Sequence, residues 1–123
     1  MMKLDKVSLI SLPRIEDKRG CLSIIEQGKH IPFPIKNVRW YCLNNDTVNL
    51  ESFTTCDRCL VPLSGEVDLI VSDDVHFTNY NLNSASIALY VPEGLFVHVS
   101  NSSKDSVLLV LTSESLECEY VYN

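Results

Sequence analysis

The sequence predicts an all-β domain, a sandwich or barrel, on three observations. About ten short segments rich in Val, Ile, Leu and Tyr follow one another, with turn residues roughly every ten positions. No window keeps apolar residues at the helical spacing of about 3.6. Two segments, Glu66 to Ser72 and Leu95 to Ser100, alternate polar with apolar residues, as strands with one wet face do. A chain of 123 residues is one domain by size. With 46% hydrophobic and 21% charged residues it can bury one core.

Val7 to Leu12 has strand composition and stops at Pro13. Ile15 to Gly20 reads as a charged turn, with Gly20 supplying backbone freedom. Cys21 to Glu26 is the next strand. Ile31-Pro32-Phe33-Pro34 cannot be helical, because each proline forces its predecessor to be extended. Ile35 to Leu43 is a strand rich in Val, Trp and Tyr, and Asn44-Asn45-Asp46 a turn. Val48 to Thr55 and Arg58 to Leu63 are strands, and Ser64-Gly65 turns the chain into Glu66 to Ser72. Asp73-Asp74 leads into a strand from Val75 to Tyr80. Ile87 to Val91 is stopped by Pro92-Glu93-Gly94, and Asn101 to Asp105 is a loop. Ser106 to Thr112 is the most apolar strand and the expected core centre; Glu119 to Tyr122 closes the chain.

The net charge of −6 argues against a nucleic-acid partner, which needs a basic face, and against an anionic membrane surface. An anionic small ligand remains possible where local arginines outweigh the global charge. The N-terminus has no signal-peptide pattern, and no apolar run approaches the roughly 20 residues of a membrane span. A cytoplasmic protein with reduced thiols is expected, and five cysteines fit poorly with a closed disulfide set. Asn45-Asp46-Thr47 and Asn101-Ser102-Ser103 match the glycosylation pattern, but in a protein that is not secreted they are polar loops. Cys56-Asp57-Arg58-Cys59 is a C-x-x-C without a second half to complete a zinc site and without a βαβ context for a redox pair. On a strand, residues three apart point to opposite faces, so these cysteines read as structural.

Several stretches, in order, resemble the sugar-nucleotide 3,4-ketoisomerases, which act on dTDP-4-keto-6-deoxyhexoses. They are Asp17-Lys18-Arg19-Gly20-Cys21-Leu22 with Glu26, Ile31 to Val38, Cys59 to Gly65, Leu89-Tyr90-Val91-Pro92, and Val107 to Ser113. The resemblance spans Ile15 to Tyr120. It implies a cupin-like jelly roll, a homodimer, a nucleotide-linked sugar as ligand, and a place in deoxysugar or surface-polysaccharide biosynthesis. It implies no cofactor, and no metal is expected because the metal-binding H-x-H of cupins is absent.

The departures from the family fall on its chemistry. Where the family reads R-G-x-H-A-H-K, this chain has Val48 to Thr54, so that Glu51 and Phe53 replace both histidines and Val48 the arginine. The family's W-H-E-M-H falls on Phe96-Val97-His98-Val99-Ser100. Asn37 stands at a basic position, and Arg39-Trp40 where the family carries two aromatic residues. Moving a ketone from C4 to C3 needs a group that takes and returns a proton near neutral pH, a task for which histidine needs no tuning. Glu51 becomes the candidate base, with its pKa raised by burial. His98 is the nearest surviving imidazole, but a one-residue offset on a strand turns it to the other face unless a bulge re-aims it. Arg19, Phe53, Arg39 and Tyr41 are the expected substrate contacts, with the Arg19 fork suited to a diphosphate. Trp40 and Tyr41 could equally be core. Arg58 is assigned to neither face, and His30 and His76 are given no role. The alternative to an enzyme is a non-catalytic sugar-nucleotide-binding module or partner subunit with the same fold.

Overall fold

The computed structural model of the chain describes residues 3–44, 48–49 and 56–114. A short 3-10 turn over Lys3–Lys6 precedes the first strand. The strands are β1 (Ser8–Ser11), β2 (Arg14–Asp17), β3 (Gly20–Ser23), β4 (Asn37–Leu43), β5 (Val48–Asn49), β6 (Arg58–Ser64), β7 (Val67–Ser72), β8 (Phe77–Leu82), β9 (Ile87–Val91), β10 (Phe96–Ser102) and β11 (Ser106–Thr112). They form a five-stranded sheet in the order β1-β9-β6-β11-β4, a four-stranded sheet β5-β10-β7-β8, and a separate β2-β3 hairpin. The two larger sheets make a cupin-like sandwich. No helix among the described residues is long and apolar enough to cross a membrane.

β11 sits inside the five-stranded sheet, paired with β6 on one side and β4 on the other. Its apolar composition follows from that position, because one face looks into the sandwich and the other is partly covered. The four-stranded sheet is one-sided, and its alternation shows it. Val67, Leu69 and Val71 of β7 and Val97 and Val99 of β10 are buried. They meet Leu60, Leu89, Val91, Leu108 and Val110 of the opposing sheet in one apolar cluster. Burying such side chains stabilises the fold by about 1.5–3 kcal/mol each before chain entropy is counted.

A second cluster lies on the outer side of the five-stranded sheet. Leu12, Ile31 and Phe33 from the N-terminal segment cover Cys59, Val61, Ala88 and Leu111 there. Ile31 makes an isolated bridge to Gln27, and the proline-rich segment that follows is non-helical, as its sequence implies. The other half of that outer face carries Val38 and Trp40, exposed at 49% and 62%.

Several expectations need correction. The turn expected over Ile15–Gly20 is a hairpin, in which only Lys18 and Arg19 make the turn, and the strand expected to reach Glu26 stops at Ser23. Both hairpin strands are almost wholly exposed, so they lack the apolar alternation by which a strand is recognised. β8 begins two residues late because the Asp73 carboxylate accepts from the backbone N–H groups of Val75 and His76, at 3.0 and 2.7 Å. β10 runs on to Ser102 through a register shift between Val99 and Asn101. The strand expected over Val48–Thr55 is described only at Val48–Asn49, and Glu119–Tyr122 lies outside the described residues.

Cys56 belongs to the inner cluster and Cys59 to the outer one, so the two thiols of the C-x-x-C face opposite sides of the sheet. Burial pushes the Cys56 thiol up and that of Cys59 to about 12. Cys21 and Cys42 are free and exposed. Iodoacetamide at pH 8 followed by peptide mass mapping is expected to alkylate Cys21 and Cys42 at least about tenfold faster than Cys56 and Cys59. Equal rates after denaturation would attribute that protection to the fold.

Candidate functional site

Polar side chains enter the sandwich at one end of the five-stranded sheet. In β4, Arg39 and Tyr41 are half-buried on the same side as the buried Leu43, while Val38, Trp40 and Cys42 point outward. Asn37 shares the inner side. In β11, Thr112 lies on the face of Leu108 and Val110, and it is completely buried. In β6, Arg58 lies on the face of Leu60. The register lines these residues up. Thr112 is opposite Asn37 on one side and opposite Arg58 on the other, and Arg58 is opposite Val91. One row therefore reads Asn37, Thr112, Arg58, Val91. The next row reads Arg39, Val110, Leu60, Leu89. Neighbouring strands sit about 4.8 Å apart, so Asn37 and Arg58 are about 10 Å apart across the row.

Arg58 has no exposed surface, although it carries a full charge. Its Nη2 donates to the carbonyl of Leu95, just before β10. Nε and Nη1 are buried and have no hydrogen-bond partner among the described residues. Burial lowers its pKa to about 10, partly offset by Cys56 and Asp57, so it stays cationic at neutral pH. Asp57 is its neighbour on the strand and points to the other side, where its Oδ1 accepts from the backbone N–H of Glu93 at 2.9 Å. Arg39 donates from Nε to Asn37 Oδ1 at 2.8 Å, which folds its guanidinium back toward the Asn37 row. Thr112 Oγ1 donates to the Glu114 carbonyl at 2.8 Å. The polar end of the interior therefore carries two guanidinium groups, an amide, a hydroxyl and the Tyr41 ring.

Of the residues expected from sequence, Arg39 and Tyr41 lie on this inner face. Arg19 lies at the turn of the β2-β3 hairpin, where its side chain is 86% exposed and bonds Asp17 at 2.8 Å. That guanidinium holds the Asp17 carboxyl below the usual range. His98 lies on the outer side of β10, opposite in sense to the buried Val97 and Val99, and it pairs with Ile70 and Asn49. The register shift of β10 comes after it and leaves it facing outward. His30 accepts from the backbone N–H of Glu26 through Nδ1, and His76 sits beside Asp73 in a turn. The three histidines of the chain are thus all described, and none lies on the inner face. Glu51 and Phe53 lie outside the described residues; the described chain leaves β5 at Asn49 and resumes at Cys56 beside Arg58. Arg58 is the residue that sequence reasoning left unplaced. β6 is buried on both faces from Arg58 to Pro62, so no alternation reveals which way its first residue points.

Sugar 3,4-ketoisomerases share this antiparallel cupin-like sandwich. A profile of the family described as "FdtA: WxcM-like, C-terminal" matches residues 5–123, and the chain belongs to that family. It is 31% identical over 117 residues to the TDP-4-oxo-6-deoxy-alpha-D-glucose-3,4-oxoisomerase of Aneurinibacillus thermoaerophilus, covering 92% of this chain and 84% of that protein. It superposes on the sugar 3,4-ketoisomerase QdtA of Thermoanaerobacterium thermosaccharolyticum, solved in complex with TDP, with a TM-score of 0.84 and 29% identity over 94% of this chain and 86% of that one. The TDP-quinovose 3,4-ketoisomerase WlaRB of Campylobacter jejuni gives a TM-score of 0.78 and 26% identity, with 91% and 88% covered.

Proposed function

We propose that this chain binds a dTDP-linked keto sugar within the sandwich and, as a member of its family, moves the ketone between C4 and C3. The inner row of Asn37, Thr112 and Arg58, with Arg39 and Tyr41 beside it, carries this reading. It supplies donors for sugar hydroxyl and carbonyl oxygens in an otherwise apolar interior. The reaction removes the C3 proton, passes through an enediol, and returns a proton to C4. No imidazole lies on the inner face, so the base falls to Glu51, whose carboxylate burial would raise into the working range. His98 takes no part, because its side of β10 faces away. On the family resemblance Phe53 is assigned to the sugar and Arg19 to the diphosphate.

The test is proton exchange. Incubation with dTDP-4-keto-6-deoxyglucose in D₂O, followed by NMR, is expected to show loss of the C3 proton signal and growth of the 3-keto product. Glu51→Gln is expected to lower the rate by at least about 100-fold with the fold intact. An unchanged rate in that variant would remove Glu51 from the mechanism. The absence of any inner-face histidine favours a second reading, a binding module or partner subunit without turnover. It predicts no exchange, together with a rise in melting temperature on adding the sugar nucleotide.

The chain acts as a homodimer in the cytoplasm on this reading. Val38 and Trp40, with Leu63 exposed at 47%, give the five-stranded sheet an apolar outer surface that a second copy would cover. Light scattering is expected to give twice the chain mass for the wild type and the single-chain mass for Trp40→Glu. A dimer that persists in the variant would move the interface elsewhere.

A further inference from the structure

Two departures from the family lie two residues apart on one strand. Asn37 stands where the family carries a basic residue, and Arg39 where it carries an aromatic one. Residues two apart on a strand share a face. Both are half-buried on the inner side of β4, the side that continues through Tyr41 to the buried Leu43. A step of two residues along a strand is about 6–7 Å. The Arg39 side chain reaches back over that step, because its Nε donates to Asn37 Oδ1 at 2.8 Å. Its guanidinium is thereby drawn from its own row, opposite Val110, toward the row in which Thr112 faces Asn37. The positive charge absent from position 37 is thus supplied from position 39, and the residue that brings it there is the one that replaced the charge.

We infer that Asn37 is a positioning residue, whose Oδ1 turns Arg39 back along β4 so that the Arg39 guanidinium meets an oxygen of the bound nucleotide sugar in the Asn37–Thr112 row. The inference rests on the nucleotide-sugar reading above and deepens it, since it makes Asn37 act through Arg39. An arginine side chain has many rotamers, and a ligand that must order it binds more weakly than one that meets it already set. An amide suits this task. Its oxygen accepts the Nε–H and leaves the guanidinium charge in place, whereas a carboxylate at position 37 would cancel the charge that the ligand is to meet. The neutral residue at position 37 and the cation at position 39 therefore form one unit, and neither is a substitute for the family residue by itself. An oxygen of the diphosphate and an oxygen of the sugar offer a guanidinium the same lone pairs, and two ligands tell them apart.

The deciding measurement is a double-mutant cycle read by calorimetric titration of the full chain with dTDP-glucose and with dTDP. Arg39→Phe is expected to weaken binding at least about tenfold, and Asn37→Ala by about three- to tenfold. The Asn37→Ala, Arg39→Phe double variant is expected to bind as Arg39→Phe does, because Asn37 has nothing left to act through. Asn37→Arg combined with Arg39→Phe returns the charge to position 37 and is expected to recover affinity to within about threefold of the wild type. A loss seen with both ligands places the oxygen in the diphosphate, and a loss confined to dTDP-glucose places it on the sugar. Asn37→Ser and Arg39→Gln serve where a first variant does not fold. Losses that multiply in the double variant overturn the inference, since Asn37 would then touch the ligand itself. Wild-type affinity in Asn37→Ala overturns it too, as does a folded Asn37→Arg, Arg39→Phe protein that binds no better than Arg39→Phe. In each of these cases the nucleotide-sugar reading stands. Failure of the wild type to bind either ligand overturns both.

Discussion

Gly65→Ala is expected to lower the unfolding free energy by about 2–4 kcal/mol, roughly a 10 °C loss in melting temperature. Gly65 turns β6 into β7 with a φ of +75°, a conformation that costs a residue with a Cβ about 1–2 kcal/mol. There is also no space for the added carbon. A Cβ there would stand 2.5 Å from Ser103 Oγ and 2.7 Å from Ser106 Cβ. Ser103 lies in the connection between β10 and β11, and Ser106 opens β11. Ser103 Oγ accepts from the backbone N–H of Glu66 at 2.9 Å, and its own N–H donates to the Glu66 carbonyl at 2.8 Å. The turn from β6 to β7 and the loop from β10 to β11 are therefore clasped together, and each joins one sheet to the other. Urea denaturation of Gly65→Ala and Gly65→Asn separates the two causes. Asn tolerates the left-handed backbone but still brings the carbon. It should remain close to Ala if collision dominates, and recovery to the wild-type value would assign the whole effect to backbone strain.

The second large effect has the opposite sign. Arg58→Met is expected to stabilise the protein by about 1–3 kcal/mol while weakening ligand binding. Replacing a buried charge by an apolar side chain of similar length is often stabilising by amounts of this order. Against it stands one hydrogen bond to the Leu95 carbonyl, with a net value of about 1–2 kcal/mol. A protein that becomes more stable on losing a residue is keeping that residue for a use. Linkage offers a check. Burial puts the folded-state pKa of Arg58 at about 10, well below its ordinary value. Between those values the unfolded chain holds more protons than the folded one, so the Arg58 contribution rises with pH there. The advantage of Arg58→Met over the wild type should accordingly shrink from pH 10 upward. A variant less stable than the wild type by more than about 1 kcal/mol would mean that Arg58 is fully bonded in the folded protein.

Most of the sandwich could be read from alternation. β7 and β10 announce themselves because each has a dry and a wet face, and β11 because it is apolar throughout. β2 could not be read, since it buries nothing and its charges look like those of a loop, while β3 was legible only as the start of a strand expected to run to Glu26. The same logic divides the site. Arg39 and Tyr41 follow from Leu43 by steps of two along β4. The outward direction of His98 follows from its offset by one residue from the family pattern. Arg58 opens a strand buried on both faces, where hydrophobicity has no period and a charged residue has no evident side. Its importance comes from missing partners, a property of three dimensions that no local pattern records.

The strand order also sets a timetable for synthesis. Among the described residues β1 pairs with β9 and β4 with β11. β6 likewise lies between β9 and β11. Of the five strands in that sheet, the one joining β6 to β4 is made last. On a ribosome adding about 5–20 residues per second, the apolar surfaces of β4 and β6 wait several seconds for β11 to emerge. Until then β7 and β8 can pair as a hairpin, but the larger sheet stays split in two. Nascent chains arrested before Ser106 should bind chaperones and resist folding, and release of β11 should complete the sheet in one late step.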